Sequence, residues 1–271
     1  AGNIAALITY NVNPSYTLQN ADGYNTGLEK VELTIATSLY NDESASKMMY
    51  ACPDNHYLES WGDANPSNGI YTLMQPTIAP LFKGRQFQES IMAWMGKSDY
   101  HTYLQNFYSS IDWNKSLHNG HFKQNQDAEN VSLFSASVPS FDLVKSESIE
   151  FEMYEKISMG DGSQSNNPWL QELPDPITKN TWDNYLTISP RYAKELGFEN
   201  ENVSNGALNG DVADLTVNGV TLKVPVLIQP GQAYKTLGLA VGYGRNGAGK
   251  AGDGIGVNAF VFANNFNTAH S

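Results

Sequence analysis

The chain has 271 residues, 41% hydrophobic and 16% charged, enough to bury a core as one large or two modest domains, which excludes a disordered or fibrous polypeptide. Twenty-eight acidic against 16 basic side chains leave a formal charge of -12, and no basic cluster offsets it, so nucleic-acid binding is not expected. The single cysteine, Cys52, excludes an internal disulfide, a four-thiolate zinc site and an iron–sulfur cluster held by this chain alone, and no apolar stretch approaches the roughly 20 residues of a membrane helix.

Ala1-Gly2-Asn3 leads into the apolar run Ile4 to Ile8 without the charged region or cleavage pattern of a signal peptide. Opening on a strand suggests a domain entered midway, and so a part of a longer polypeptide. Strand-like Ile4 to Tyr10, helical Gly23 to Lys30, strand-like Val31 to Ala36 and helix-like Glu43 to Met49 alternate, which predicts βαβ units and a parallel sheet. The turns at the strand exits carry Asn11, Asn13, Pro14, Asn41 and Asp42, where ligands of open α/β sheets lie. From Gln86 to Trp113 apolar residues recur at helical spacing, predicting two amphipathic helices around Gly96-Lys97-Ser98 with their aromatic residues in the core.

A polar, turn-rich stretch from Ser116 to Phe141 predicts an exposed loop or hairpin at a domain junction. Beyond it Ile149 to Tyr154 alternates with period two, its acidic residues on a solvated face. Asn218-Gly219 between Leu215-Thr216-Val217 and Val220-Thr221-Leu222 is a hairpin signal, and the second half reads as a β-barrel. The expected organisation is thus an α/β domain over 1–115, a linker or hairpin over 116–146 and a β-barrel over 147–271.

Gly244-Arg245-Asn246-Gly247-Ala248-Gly249-Lys250 has the spacing of a phosphate-binding P-loop, but Ala251 stands where Ser or Thr would ligate magnesium, and Gly252-Asp253-Gly254 follows in place of a helix. What survives is a glycine-rich loop able to bring its backbone close to a ligand or a neighbouring loop. Its seven glycines between Gly242 and Gly256 are costly to order, so the loop is expected to pack against the Asn11 to Pro14 turn, with Arg245 or Lys250 pairing locally. Cys52, His56, His118 and His121 form no enforced metal set, Cys52 reads as a small buried hydrophobe, and no serine sits in a nucleophile elbow.

Several segments together resemble the molybdopterin oxidoreductases of the dimethyl-sulfoxide-reductase type. Thr9 to Pro14 is similar to the Gly-x-Asn-Pro turn of that family's third domain, and Asn41 to Ala45 to its Thr-Glu-Thr-Ala segment. Cys52 to Glu59 and Gly69 to Pro76 through Gly84-Arg85 match the stretches that follow, although Ile70 stands where the family has an arginine. Asn166 to Pro176 resembles the entry into the C-terminal pterin-binding barrel, Ile188 to Gly197 its helix, Ile228 to Gly231 its Arg-Pro-Gly turn and Val241 to Arg245 its final glycine turn. Gly242 to Arg245, Ala248 to Lys250 and Gly254 to Phe260 are most similar to the molybdopterin-like, iron–sulfur subunit of alternative complex III, a membrane-bound quinol-oxidising complex.

The resemblance implies a partial Rossmann-like α/β domain followed by a double-psi-type barrel, without the family's cluster domain, its molybdenum-ligand domain or any complete active site. It implies a scaffold with no cofactor of its own, at the periplasmic face of a bacterial inner membrane, whose partners are the remaining domains of the same polypeptide and membrane and cytochrome subunits, with no insertion into the membrane itself. The alternative is the dinucleotide-binding half of an active molybdenum enzyme. Molybdopterin guanine dinucleotide would then meet Asn13, Asp42 and Glu43 from the α/β side and Asn166, Asn167, Gly242, Gly244 and Arg245 from the barrel side.

Overall fold

The computed structural model describes residues 3–97, 99–124, 149–203 and 208–263, and the backbone of residues 269–270. The first half opens on β1 (Ala6–Tyr10), α1 (Pro14–Thr17), α2 (Ala21–Leu28), β2 (Leu33–Ser38) and β3 (Tyr50–Pro53). These strands form a parallel sheet in the order β1-β2-β3, as the alternation predicts, with the helices in the first crossover. Asn20 starts α2 by accepting the Gly23 N–H at 2.9 Å. The helix-like segment after β2 is one 3-10 turn, Ala45–Lys47, entered through Asp42, whose Oδ1 accepts the N–H groups of Ser44 and Ala45. Cys52 is exposed, contrary to the expectation of burial, because β3 forms an edge whose residues all face solvent.

A second sheet follows as the meander β4 (Gly62–Ser67), β5 (Ile70–Met74) and β6 (His121–Lys123), all antiparallel, with α3 (Phe87–Trp94), α4 (Tyr100–Phe107) and α5 (Trp113–Asn119) inserted between β5 and β6. Asp99 and Asp112 cap α4 and α5, and Gly120 ends α5 in the left-handed region. Residues 116–119 are therefore helix and 121–123 strand, while 125–146 of the expected linker lie outside the described residues. Helices α3 and α4 flank the Gly96-Lys97 turn as predicted, but their aromatic content is only partly core. Tyr108 at the end of α4 is buried together with the non-aromatic Met92 and Leu104, whereas Trp94 and Phe107 stay 53% and 64% exposed because these two-turn helices pack one narrow face each.

The second half comprises β7 (Glu150–Tyr154), α6 (Pro168–Glu172), β8 (Leu186–Ile188), α7 (Pro190–Leu196), β9 (Asn200–Asn202), β10 (Leu208–Gly210), β11 (Val212–Val217), β12 (Val220–Ile228), β13 (Thr236–Ala240) and β14 (Ala269–His270). The expected hairpin is present: Val217 pairs with Val220 across Asn218 and Gly219, both at positive φ. Ser189 and Pro190 start α7 and Gly197 stops it. Six strands form one mixed sheet, β11-β12-β8-β13-β7-β14, and β9 pairs with β10 apart from it. Phe151, Ile188, Leu215, Val224, Leu239 and Phe262 meet in a common core. The sheet does not close into the expected barrel among the described residues, since β11 and β14 are edges with no pairing to each other.

Candidate functional site

The two halves meet where the turn after β1, the segment after β2 and the glycine-rich loop after β13 converge. Asn13 precedes Pro14 at the first position of α1, which places Tyr16 one turn inside. Asn13 Nδ2 donates to Glu43 Oε2 at 2.6 Å, and Asn13 Oδ1 accepts from Ser44 Oγ at 2.7 Å, so the two strand-end turns are tied together. From the other half Arg245 donates Nε to Glu43 Oε1 at 2.8 Å and Nη2 to Glu43 Oε2 at 2.7 Å, a bidentate pair, while its Nη1 donates to the Gly162 carbonyl at 2.6 Å. The Asn246 N–H donates to the same Glu43 Oε1 at 2.9 Å. With side chains 7% and 10% exposed, Arg245 and Glu43 form a nearly dry ion pair across the junction.

Burial alone would raise the Glu43 carboxyl, but hydrogen bonds from Arg245, Asn246 and Asn13 outweigh it and hold it at about 2. Burial likewise disfavours the charged Arg245, and Glu43 more than compensates, keeping the guanidinium above its ordinary value. The guanidinium lies 4.6 Å from the centroid of the Tyr16 ring, a cation–π contact. Burial pushes the Tyr16 phenol up, so its hydroxyl stays protonated and donates to the Tyr243 carbonyl at 2.7 Å. Asn258 Nδ2 donates back to the Tyr16 carbonyl at 3.0 Å. The loop thus faces the turn after β1, with Arg245 paired to Glu43 across the junction and not within its own loop.

Gly242 and Gly244 act through their backbones. A Cβ on Gly242 (φ +93°) would meet the Gly160 carbonyl oxygen at 2.7 Å, and one on Gly244 (φ +69°) would overlap the backbone of Val257 and Asn258. Asn166 Oδ1 accepts the Ala251 N–H at 3.0 Å, which holds the far end of the loop. Asn167 instead caps α6 through the Trp169 N–H and does not line the cleft. Asp42 lines the cleft while capping its 3-10 turn. Among the described residues no three His, Cys, Asp or Glu side chains gather as a metal set.

Tyr16 and Asn184 escaped the sequence reading. Asn184 is fully buried and ties β13 to the loop, donating to the carbonyls of Ala240 and Val257 at 2.8 and 2.9 Å and accepting the Val257 N–H at 2.9 Å. No local pattern marks such a residue. The Asn-Pro step ahead of Tyr16 is a helix-start signal that could have found the other.

Lys156 is a third such residue. It is 3% exposed, lies 4.0 Å from the Tyr185 ring centroid and donates to the Asp183 carbonyl at 3.0 Å. Burial lowers its ammonium to about 8 against the opposing pull of Asp175 and Asp183. Between pH 8 and the unfolded value near 10.4 the unfolded chain binds more protons, so stability rises with pH there. Lys156→Met keeps the shape without the charge and is expected to raise stability by roughly 1–2 kcal/mol at pH 7, with the gain shrinking towards pH 10, as read by urea denaturation. A loss of similar size would mean that the ring contacts outweigh burial of the charge.

The ion pair closes one side of a cleft of about 420 Å³, lined also by Asn11, Asn13, Tyr16, Asp161 and Asn166. A dinucleotide held in this cleft would need cationic or N–H donors for its diphosphate. The one Arg or Lys in the lining, Arg245, is spent on Glu43 and Gly162, and Asp42 and Asp161 add negative charge. Glu43 holds the guanidinium and amide donors that a phosphate would require, so the described residues do not fit that group.

No family model matches the chain. The molybdopterin-binding-like subunit of menaquinone reductase from Nitratidesulfovibrio vulgaris (strain Hildenborough) is 29% identical over 96 residues, 34% of this chain and 14% of that protein. Acetylene hydratase from Pelobacter acetylenicus shares the fold with a TM-score of 0.67 at 14% identity, over 94% of this chain and 40% of that one. The matches therefore span well under half the length of either relative. Over about a third of its sequence this chain is similar to that molybdopterin-binding-like subunit, and over nearly all of its length it shares the fold of acetylene hydratase.

Proposed function

We propose that the chain is a scaffold region of a respiratory oxidoreductase subunit, in which the family's dinucleotide cleft has become an internal joint. The carrying observation is the Glu43 carboxylate, which takes both Arg245 donors, the Asn246 N–H and the Asn13 amide. In this reading the first half is the remnant of the third domain and the second half the double-psi-type dinucleotide domain, with the junction holding both in a fixed relation for docking. The resemblance of the glycine loop to alternative complex III supports a place in a quinol-oxidising complex, while the name of the menaquinone reductase subunit supports a quinone-linked complex without the oxidising direction, since a reductase delivers electrons to the quinone. Its partners there would be further domains of its own polypeptide and membrane and cytochrome subunits, at the periplasmic face of the membrane.

The test uses the full-length protein purified with its complex. Oxidative release should yield no fluorescent pterin attributable to this subunit, and elemental analysis should find no molybdenum in it. Stoichiometric pterin would favour the other reading, the dinucleotide-binding half of an active molybdenum enzyme.

A further inference from the structure

A second cavity, of about 370 Å³, lies at the carboxyl ends of β1, β2 and β3 where they meet the β4–β5 meander. This is the side of an α/β sheet on which ligands bind. Four aromatic rings line it, those of Tyr10, Tyr57, Trp61 and Tyr100, together with the carboxylates of Asp54 and Asp63. No Lys, Arg or His lines it, and neither carboxylate makes an ion pair among the described residues.

Two of the rings are held in place from behind. Tyr10 stacks on Phe87 with centroids 4.5 Å apart and planes at 15°, and Trp61 stacks on His101 at 4.0 Å and 15°. Asp63 is fixed by the hydroxyls of Tyr100 and Tyr108, which donate to its Oδ1 at 3.1 Å and Oδ2 at 2.6 Å, so neutral donors satisfy its geometry and leave its charge uncompensated. The Asn55 and Phe87 N–H groups both donate to Oδ1 of Asp54, and Oδ2 is bonded by neither. Gln88, also in the lining, has a buried Oε1 with no hydrogen-bond partner, an acceptor that awaits a donor. Burial raises the Tyr100 phenol to about 12, with Asp63 adding to the effect, as expected where negative charge is concentrated.

Aromatic rings, two unpaired carboxylates and an orphaned acceptor together favour a cation over an anion. We propose that this cavity binds a small organic cation, a quaternary ammonium or protonated amine. The site is separate from the Glu43–Arg245 joint, with Tyr57 on the wall between the two cavities.

The experiment titrates the full chain with choline and with 3,3-dimethylbutan-1-ol, its neutral carbon isostere, following Trp and backbone amide resonances by NMR. Choline is expected to saturate with a dissociation constant of the order of 0.1–1 mM and the isostere to bind at least about tenfold more weakly. Asp54→Asn keeps the Oδ1 acceptor, and Tyr57→Ala alters a ring that is 69% exposed, so both variants should fold; each is expected to weaken choline by about fivefold. Equal affinity for choline and the isostere, no saturation at all, or unchanged choline affinity in both variants would overturn the assignment.

Discussion

Gly244→Val is expected to cost the chain at least about 3 kcal/mol of stability. Gly244 sits at φ +69°, a region a β-branched residue avoids, and its Cβ would occupy the space of the Val257 carbonyl carbon and the Asn258 backbone nitrogen. Neither neighbour is a flexible side chain that can swing away. The 257–258 segment is itself pinned by Asn184 and by the Asn258–Tyr16 hydrogen bond, so relief would break the tie between the halves. Gly254→Ala is the control, at φ +72° with open space around its Cβ position, and should lose only about 1 kcal/mol. Urea denaturation of both variants separates the dihedral cost from the close approach. An unchanged midpoint for Gly244→Val would show that the loop contributes nothing to the stability of this chain.

The second large effect falls on the ion pair. Arg245→Met leaves the Glu43 carboxylate buried without its cation and is expected to lose roughly 3–5 kcal/mol. Glu43→Leu combined with Arg245→Met removes both charges and should recover most of that loss, because the pair's attraction is spent largely on its own desolvation. The same carboxylate makes stability pH-dependent. Its folded pKa, about 2, lies below the unfolded value near 4.3, so its contribution is fully present above about pH 5 and fades as the pH falls through 4 towards 2. The amount at stake is about 3 kcal/mol, and the Glu43→Leu/Arg245→Met chain should lack that part of the acid slope. Denaturation midpoints of both proteins between pH 2 and 7 measure it.

Local signals carried the parallel β1-β2-β3 sheet, the paired helices around Gly96 and the Asn218-Gly219 hairpin, because each rests on residues adjacent in the chain. The open sheet of the second half, where the strand pattern suggests a barrel, did not follow from the same signals. Strand pattern reports which face is buried and not which edges pair, and among the described residues β11 and β14 stay edges. Asn13, Asp42 and Arg245 stood out in the sequence because they lie in strand-end turns and a glycine loop, while Glu43 entered only through the family resemblance. That Glu43 would be the partner of Arg245 depends on 202 residues of intervening chain folding first, which no spacing reveals. Cys52 and Trp94 failed in the opposite sense, since their types suggest burial and their positions at a sheet edge and on a thin helix face prevent it.

The occupied state of the Arg245 and Asn246 donors is most directly probed by calorimetric titration of the chain with guanosine diphosphate, the diphosphate-bearing end of the dinucleotide. With Glu43 holding those donors, no saturable heat is expected up to millimolar nucleotide. One-to-one binding that disappears in Arg245→Met would contradict the joint, because it would mean that phosphate displaces the carboxylate and that the cleft still serves a ligand.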